Sequence, residues 1–325
     1  MAPDSCVACL SRDSAKLHDA REMMFGLRDS FRYRECAACG ALQLLEPPAD
    51  ASRYYPPQYY SLVTDEAPEQ QSRVGAVLRR ARGEVALRLP ADVTARLVDR
   101  RRLRYFYRWL AGTGVRTSSS VCDVGSGQGG ALLDMRREGF TDLTGIDPYV
   151  DRDQEPAPGV RILRREIDKL ERRYDLIMFN HSFEHMPDPA GVLRTARRHL
   201  TGGGAIMIRI PVADSLAWRE YGTDWAALDA PRHLHVHTHE SMRALAERTE
   251  LRIARTFRDS YALQFWGSEQ YRRDIPLNDP RSWAVDPQRA VFTQAEIDEF
   301  ERRSAELNRR GDGDSAGFVL RRARP

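Results

Sequence analysis

Lysine is nearly missing from this 325-residue sequence: Lys16 and Lys169 are the only two, and arginine makes up the rest of the 50 basic residues. Against 47 acidic residues the formal net charge is only +3. A protein that neutralises nucleic-acid phosphates needs a basic excess or a basic stripe interleaved with aromatics. Neither is present, so the arginine bias reads as base composition of the gene. Runs such as Arg100-Arg101-Arg102 read as solvated helix faces. No stretch approaches the roughly 20 apolar residues that span a bilayer, which excludes a membrane-spanning helix. The N-terminus has no apolar signal core, and the expected location is the cytoplasm. No internal repeat is visible. What is left is 42% hydrophobic and 30% charged, a globular balance with room for one large domain or two smaller ones.

Cysteine is also scarce, with five in all, but four of them form two pairs, Cys6-x-x-Cys9 and Cys36-x-x-Cys39. In a reducing compartment this spacing points to zinc and not to disulfides. Each pair can present two thiolates from one tight turn, and four thiolates close a tetrahedral shell with no open position, so the metal would be structural. Residues 1–46 are therefore expected to be a zinc-binding module that owes much of its folding to the metal. The competing reading is two unrelated turns with free thiols. His18 is a bystander in either reading, and Cys122 is an inert core thiol.

Residues 47–117 read as a linker and a helical segment. The linker holds Pro47-Pro48 and Tyr54-Tyr55-Pro56-Pro57-Gln58-Tyr59-Tyr60, an extended connector whose tyrosines either pack it down or, through Tyr59 or Tyr60, reach an active-site mouth. Helix is expected over 72–111, with Leu103, Phe106, Tyr107 and Leu110 as its apolar stripe. From 118 onward strands and helices alternate. Strands are expected at 121–124, 143–147, 160–163, 174–180, 205–210, 251–257 and 317–321. Asp188 caps a helix beginning at Pro189, and Thr238 caps one running to Arg248. This alternation gives an α/β fold, a parallel sheet covered by helices on both faces, with ligands at the carboxyl ends of the strands. Residues 260–315 read as an insertion, helical from Gln294 to Leu307, that caps the pocket as a lid.

The most informative stretch is Val121-Cys122-Asp123-Val124-Gly125-Ser126-Gly127-Gln128-Gly129-Gly130. A glycine-rich turn from a buried strand into a helix lets a ligand approach bare backbone and aims helix N–H groups at it. The glycine spacing also fits a dinucleotide fingerprint. Asp123 argues against that, because a carboxylate beside a pyrophosphate repels it where water is excluded. A cationic ligand without phosphate would favour the same carboxylate. The stretch resembles motif I of the class I S-adenosylmethionine (SAM)-dependent methyltransferases, Asp/Glu-x-Gly-x-Gly-x-Gly. The resemblance implies a doubly wound, Rossmann-like, seven-stranded sheet over 118–325. It implies SAM held by Asp123, Gly125, Ser126, Gly127 and Gly129, with Asn180 at the end of the fourth strand. Asp147 lies 22 residues after Gly125, where an acid accepts from ribose hydroxyls. Glu166 is a further candidate for the adenine end.

The fourth strand runs into Asn180-His181-Ser182-Phe183-Glu184-His185-Met186-Pro187-Asp188-Pro189. This resembles the Glu-His-x-Pro-Asp-Pro stretch of many small-molecule methyltransferases, and the family places these residues beside the reactive methyl. Three roles compete. His181-x-x-Glu184-His185 matches the inverted zinc proteases, whose motif needs a helix in a protease fold. In ubiquinone-type O-methyltransferases the corresponding Glu-x-x-Glu-His can hold a divalent ion, but here His181 replaces the first acid. Third, His181 is a general base near neutral pH, with Glu184 and His185 bracing the loop.

Downstream, Pro231-Arg232-His233-Leu234-His235-Val236-His237-Thr238-His239 puts four histidines at every second position. Same-face residues on a strand lie about 7 Å apart, too far for the row to share one ion. His237 and His239 are expected at the surface. Pro231 to His235 resembles a segment of the methyltransferase branch that carries the Cys-x-x-Cys module, where the loop faces the substrate. That makes His233 and His235 catalytic candidates beside His181 and Tyr60, with Tyr221 and Trp225 as pocket walls. The implied function is SAM-dependent methyl transfer to a small molecule, favouring C-methylation of a natural product or sugar nucleotide. Metal-assisted O-methylation and ribosomal-RNA base methylation with a zinc module are the alternatives.

Overall fold

A computed structural model describes residues 5–13, 16–56, 73–99 and 103–323. In chain order its elements begin with β1 (Lys16–Arg21), β2 (Ser30–Glu35) and β3 (Leu42–Leu44), then α1 (Arg73–Arg88), α2 (Ala91–Asp99) and α3 (Phe106–Leu110). The alternating part follows as β4 (Ser120–Val124), α4 (Gly130–Arg137), β5 (Asp142–Ile146), β6 (Gln154–Ala157), β7 (Val160–Leu163), β8 (Tyr174–Asn180), α5 (Pro189–Arg198) and β9 (Leu200–Pro211). The chain continues through α6 (Leu216–Tyr221), β10 (His235–Val236), α7 (His239–Arg248), β11 (Leu251–Arg258), α8 (Leu263–Arg272), α9 (Gln294–Arg310) and β12 (Ser315–Arg322).

The main sheet has the order β11-β12-β9-β8-β4-β5-β7-β6. The five central strands run parallel, and β12 slots antiparallel between β9 and β11. All seven expected strands are present; the eighth, β6, lies at the edge, antiparallel to β7. Pro156 sits in it, and a proline in a strand reads as loop from sequence; only an edge tolerates it. Buried aliphatic and aromatic side chains fill both faces of the sheet, with Ile177, Phe179, Ile206 and Ile208 on one side and Leu176, Met178, Met207 and Val319 on the other. Among the described residues the helical segment 72–111 holds three helices, α1, α2 and α3. Pro90 ends the first because it has no N–H to donate, and its carbonyl accepts from Thr94 at 2.9 Å to open the second.

The N-terminal strands do not stand apart. Their sheet runs β1-β2-β3-β10, so its last strand comes from the segment 199 residues and more beyond Cys36 that carries the histidines, with His235 opposite Gln43 and Val236 opposite Leu42. Tyr33, Leu42 and Leu44 share one core with Trp225, Leu228, Val236 and Phe265. At this junction Arg232 is fully buried. Its guanidinium donates to both oxygens of Asp229 at 2.9 and 3.0 Å, to Glu22 at 3.0 Å and to the Tyr54 carbonyl at 3.2 Å. Burial works against a charge here, and the two carboxylates overcome it. Arg232→Met would leave Asp229 and Glu22 buried without their cation, and we expect a loss of about 3–5 kcal/mol in urea unfolding; a change below about 1 kcal/mol would show that the network is not holding the junction.

Candidate active site

The glycine turn joins β4 to α4. Gly125, Gly127 and Gly129 have φ of 74°, 51° and 82°, the left-handed region that disfavours any side chain. Gly125 and Ser126 donate to the Ile146 carbonyl at 2.8 and 3.3 Å, which ties the turn to the end of β5. Asp147 follows that strand. One of its oxygens accepts from Gly127 N at 2.9 Å and the other from Tyr149 N at 2.9 Å. Each carboxylate oxygen has a second lone pair, so the turn holds Asp147 in place and leaves it able to accept from a ligand hydroxyl. Ser126 packs its hydroxyl over Gly145, and Glu166 is exposed.

Asp123 is buried at the end of β4. Burial and the neighbouring Asp147 carboxylate push its pKa up to about 7. Two acids crowded in a dry turn are a poor arrangement until a cation joins them, which is what a ligand bearing an ammonium or sulfonium provides. A cation must bind the ionised form, so the proton competes with it. SAM affinity is therefore expected to be full above pH 7 and to fall about tenfold per unit as pH drops below it. Asp123→Asn removes that proton site and should flatten the acid limb in calorimetry; an unchanged limb in the variant would assign it elsewhere.

A cavity of about 1020 Å³ opens beside this turn. Its walls include Gly130 and Ala131 of α4, Trp109 of α3, Asn180 and Arg209 at the ends of β8 and β9, and Glu301 and Asn308 of α9. Of the residues named from sequence, Asn180 lines it. Arg209 is the hub: its Nε donates to Asp259 at 2.5 Å, one Nη donates to Asn180 Oδ1 at 3.3 Å, and its guanidinium lies 5.3 Å from the Trp109 ring. Trp109 Nε1 also donates to Asp259, at 3.2 Å.

His181 has φ of 52° and its N–H donates to the Arg209 carbonyl at 2.9 Å. Its Nε2 accepts from the Arg209 guanidinium, and its Nδ1 lies 3.4 Å from Glu184 Oε1. Burial and the Arg209 charge lower its pKa, so the ring is neutral. His185, a brace of the loop or a member of a metal-binding motif on the sequence reading, sits among polar groups. Its Nδ1 is 2.8 Å from the Arg232 carbonyl and 3.3 Å from Tyr55 Oη, and its ring meets the His233 ring edge-on at 4.8 Å. Tyr55 is thus a linker tyrosine that reaches the histidines; Tyr59 and Tyr60 lie outside the described residues.

His233 is buried, its Nδ1 2.9 Å from the Ala227 carbonyl and its own carbonyl accepting from Tyr33 Oη at 2.8 Å. His235 is buried in β10 with Nε2 3.4 Å from the Pro187 carbonyl. Burial lowers the pKa of both rings to about 4. The expectation of a surface His237 is overturned: it is fully buried, 5.6 Å from the Phe183 ring, because its carbonyl accepts from Ala213 and carries the backbone under α7. His239 is half-buried against Asp214 at 2.8 Å. Trp225 and Tyr221 are core, not pocket walls: Trp225 Nε1 donates to Asp314 at 2.9 Å and Tyr221 Oη to Glu269 at 3.1 Å.

The four paired cysteines come together. Cys6 and Cys39 sulfurs are 3.6 Å apart, as are those of Cys9 and Cys36, and all four lie within 4.8 Å of one another. Disulfide sulfurs would be about 2.05 Å apart, whereas thiolates around a zinc ion at about 2.3 Å sit about 3.8 Å from each other. Each pair occupies a turn closed by a left-handed residue just after the second cysteine, Leu10 at φ 64° and Gly40 at φ 69°. The donor set fits zinc.

A dry glycine turn with an acid at each end, on a sheet of this order, defines a class I SAM-dependent methyltransferase. A family model described as a methyltransferase domain matches residues 87–256, and the chain belongs to that family. No curated protein matches the chain. Among solved structures it is similar to a candidate sarcosine dimethylglycine methyltransferase from Galdieria sulphuraria (18% identity, 70% of this chain and 88% of that one, TM-score 0.45). It is also similar to a SAM-dependent methyltransferase from Mesorhizobium loti (18%, 63% and 91%, TM-score 0.39) and to the cyclopropane synthase MmaA2 from Mycobacterium tuberculosis (17%, 64% and 79%, TM-score 0.40). Among the described residues no helix is long and apolar enough to cross a membrane.

Proposed function

We propose that this methyltransferase acts on a small-molecule acceptor, with C-methylation of a natural product or sugar nucleotide as the first reading. The observation that carries it is the cavity at the carboxyl ends of β8 and β9, closed over by α9 and large enough for one metabolite. It supports 260–315 as a lid over a domain of 118–325, behind a zinc module of 1–46 and a linker of 47–117. Asp123, Gly125, Ser126, Gly127, Gly129, Asp147 and Asn180 would hold SAM, which when bound supplies an electrophilic methyl. Cys6, Cys9, Cys36 and Cys39 would hold zinc, which supplies only a structural cross-link.

The protein's own contribution is alignment of the acceptor and removal of its proton. His181 is the first candidate base: it is neutral and adjoins Asn180 and Arg209 of the cavity wall. To act, its Nε2 must be released by Arg209, so Asp259, which holds Arg209, would set its availability. His185 is the second candidate, because the Arg232 carbonyl fixes the hydrogen on its Nδ1 and leaves Nε2 with a bare lone pair. His181→Ala should lower turnover about 10²-fold and leave SAM binding intact; unchanged turnover, with the loss seen in His185→Ala instead, would transfer the role. A steep loss of RNA affinity with salt would favour the RNA-methylating reading over a metabolite.

A further inference from the structure

His181 is held between a carboxylate and a guanidinium. Its Nε2 accepts from Arg209 Nη1, so the ring hydrogen sits on Nδ1, 3.4 Å from Oε1 of the fully buried Glu184. The His181 side chain keeps 31% of its surface accessible, so a ligand can reach the ring. The lone pair that a base needs is nevertheless occupied. Protonating that nitrogen beside Arg209 would also press two cations together, a cost that falls steeply only if the guanidinium charge is cancelled.

Arg209 is fixed at one end only. Its Nε donates to Asp259 and its plane lies over Trp109, while Nη1 serves Asn180 and His181. Nη2 makes no hydrogen bond among the described residues, and it is not sealed off, since Arg209 lines the cavity. The edge formed by Nη1 and Nη2 is a fork that matches two oxygens of a carboxylate or phosphate. Of the charged residues lining the cavity, five are arginines and three are acids, which favours an anion there. This edge belongs to the acceptor's side of the site. β9 stands two strands from β4 in the sheet, about 10 Å away from the cofactor turn.

We propose that the acceptor carries an anionic group, a carboxylate or phosphate, which takes the Nη1–Nη2 edge of Arg209 and thereby releases Nε2 of His181. A guanidinium bonds an anion more strongly than it bonds a neutral imidazole nitrogen, so the exchange favours the acceptor. Asp259 and Trp109 keep the Nε end in place, and only the far end has to pivot. The anion then does two things at once. It frees the lone pair, and it cancels the charge that would oppose an imidazolium, leaving Glu184 to stabilise that imidazolium through Nδ1. The other groups facing the ring, Asp259 and His233, lie further off. An acceptor without the anion meets a masked base, so Arg209 selects the substrate as well as holding it. The consequence for catalysis rests on His181 being the base; the anion site does not.

The test is nitrogen NMR of ring-labelled histidine in the full-length, zinc-loaded protein, with the His181 signals assigned by their loss in His181→Asn. The protein is first saturated with S-adenosylhomocysteine, which keeps the cofactor's carboxylate and lacks its methyl, and is then titrated with acetate and, separately, with inorganic phosphate. The expected result is a saturable shift of His181 Nε2 with at least one anion, towards the position of a nitrogen without a donor. Arg209→Met should start at that released position and respond to neither anion. Arg209→Lys, which keeps a cation for Asp259 if the methionine variant fails to fold, loses the fork and should bind the anion about tenfold more weakly. No shift with either anion, an equal midpoint in folded Arg209→Lys, or a full shift caused by S-adenosylhomocysteine alone overturns the proposal. The ring shift reports the displacement whether or not His181 is the base, and the turnover of His181→Ala tests the base alone.

Discussion

Gly125→Ala is expected to lose SAM affinity by about 10³-fold while the sheet stays folded. Two costs coincide at this residue. Its φ of 74° strains any residue with a Cβ. That Cβ would also stand 2.5 Å from the Cβ and 3.1 Å from the Oγ of Ser182. Ser182 cannot step aside freely, because its hydroxyl donates to the Val124 carbonyl at 2.5 Å and its chain neighbours are His181 and the buried Phe183. Strain and overpacking at about 1–3 kcal/mol each sum to roughly 4 kcal/mol, which is three decades of affinity. The substitution therefore disturbs the cofactor turn and the histidine loop together, and turnover should fall further than affinity. Calorimetry with SAM, beside a thermal melt, checks it. Wild-type affinity in a folded Gly125→Ala protein would mean that the ligand does not use this turn.

Cys36→Ser is expected to release the metal and unfold the N-terminal sheet. Structural zinc contributes on the order of 10 kcal/mol to a small module, as much as the whole stability of a typical domain. The damage should not stop at residue 46. β3 would lose its place beside β10, the Cys39 carbonyl would leave Thr238 Oγ1 at 2.6 Å, and Tyr33 would release the His233 carbonyl. Arg248, which donates to the Val7 carbonyl at 2.8 Å, would lose that anchor too. Turnover should collapse while SAM affinity stays within a few-fold, since the β4–α4 turn touches none of these groups. Metal analysis, limited proteolysis and calorimetry on the same sample check the three parts. A metal-free variant with an intact N-terminus and full turnover would show that the cysteines are not holding the histidines.

Much of this was legible along the chain because the signals were local. The strands announced themselves by short apolar runs between breakers, the turn by its glycines, and the helix starts by Asp188 and Thr238, which cap as their sequences suggest. The acids at 123 and 147 were readable because the distance from turn to second strand end is fixed by one βαβ unit. The cysteine pairs were readable because a metal turn has a set spacing.

The histidines were not legible in the same way. A row at every second residue looks like one strand face, yet only two residues there form a strand, and its partner is 191 or more positions away in the N-terminal sheet. His237 went under α7 and His239 to Asp214. The sequence by itself determined the methyltransferase sheet, the cofactor turn and the thiolate set, since periodicity, φ preference and ligand spacing act within a few residues of one another. Only the tertiary structure decided that Glu184, His185 and His233 share one dry pocket and that Arg209 rests on His181. Burial, lone-pair direction and the cancelling of charge belong to groups that meet across the fold, and no local pattern records them.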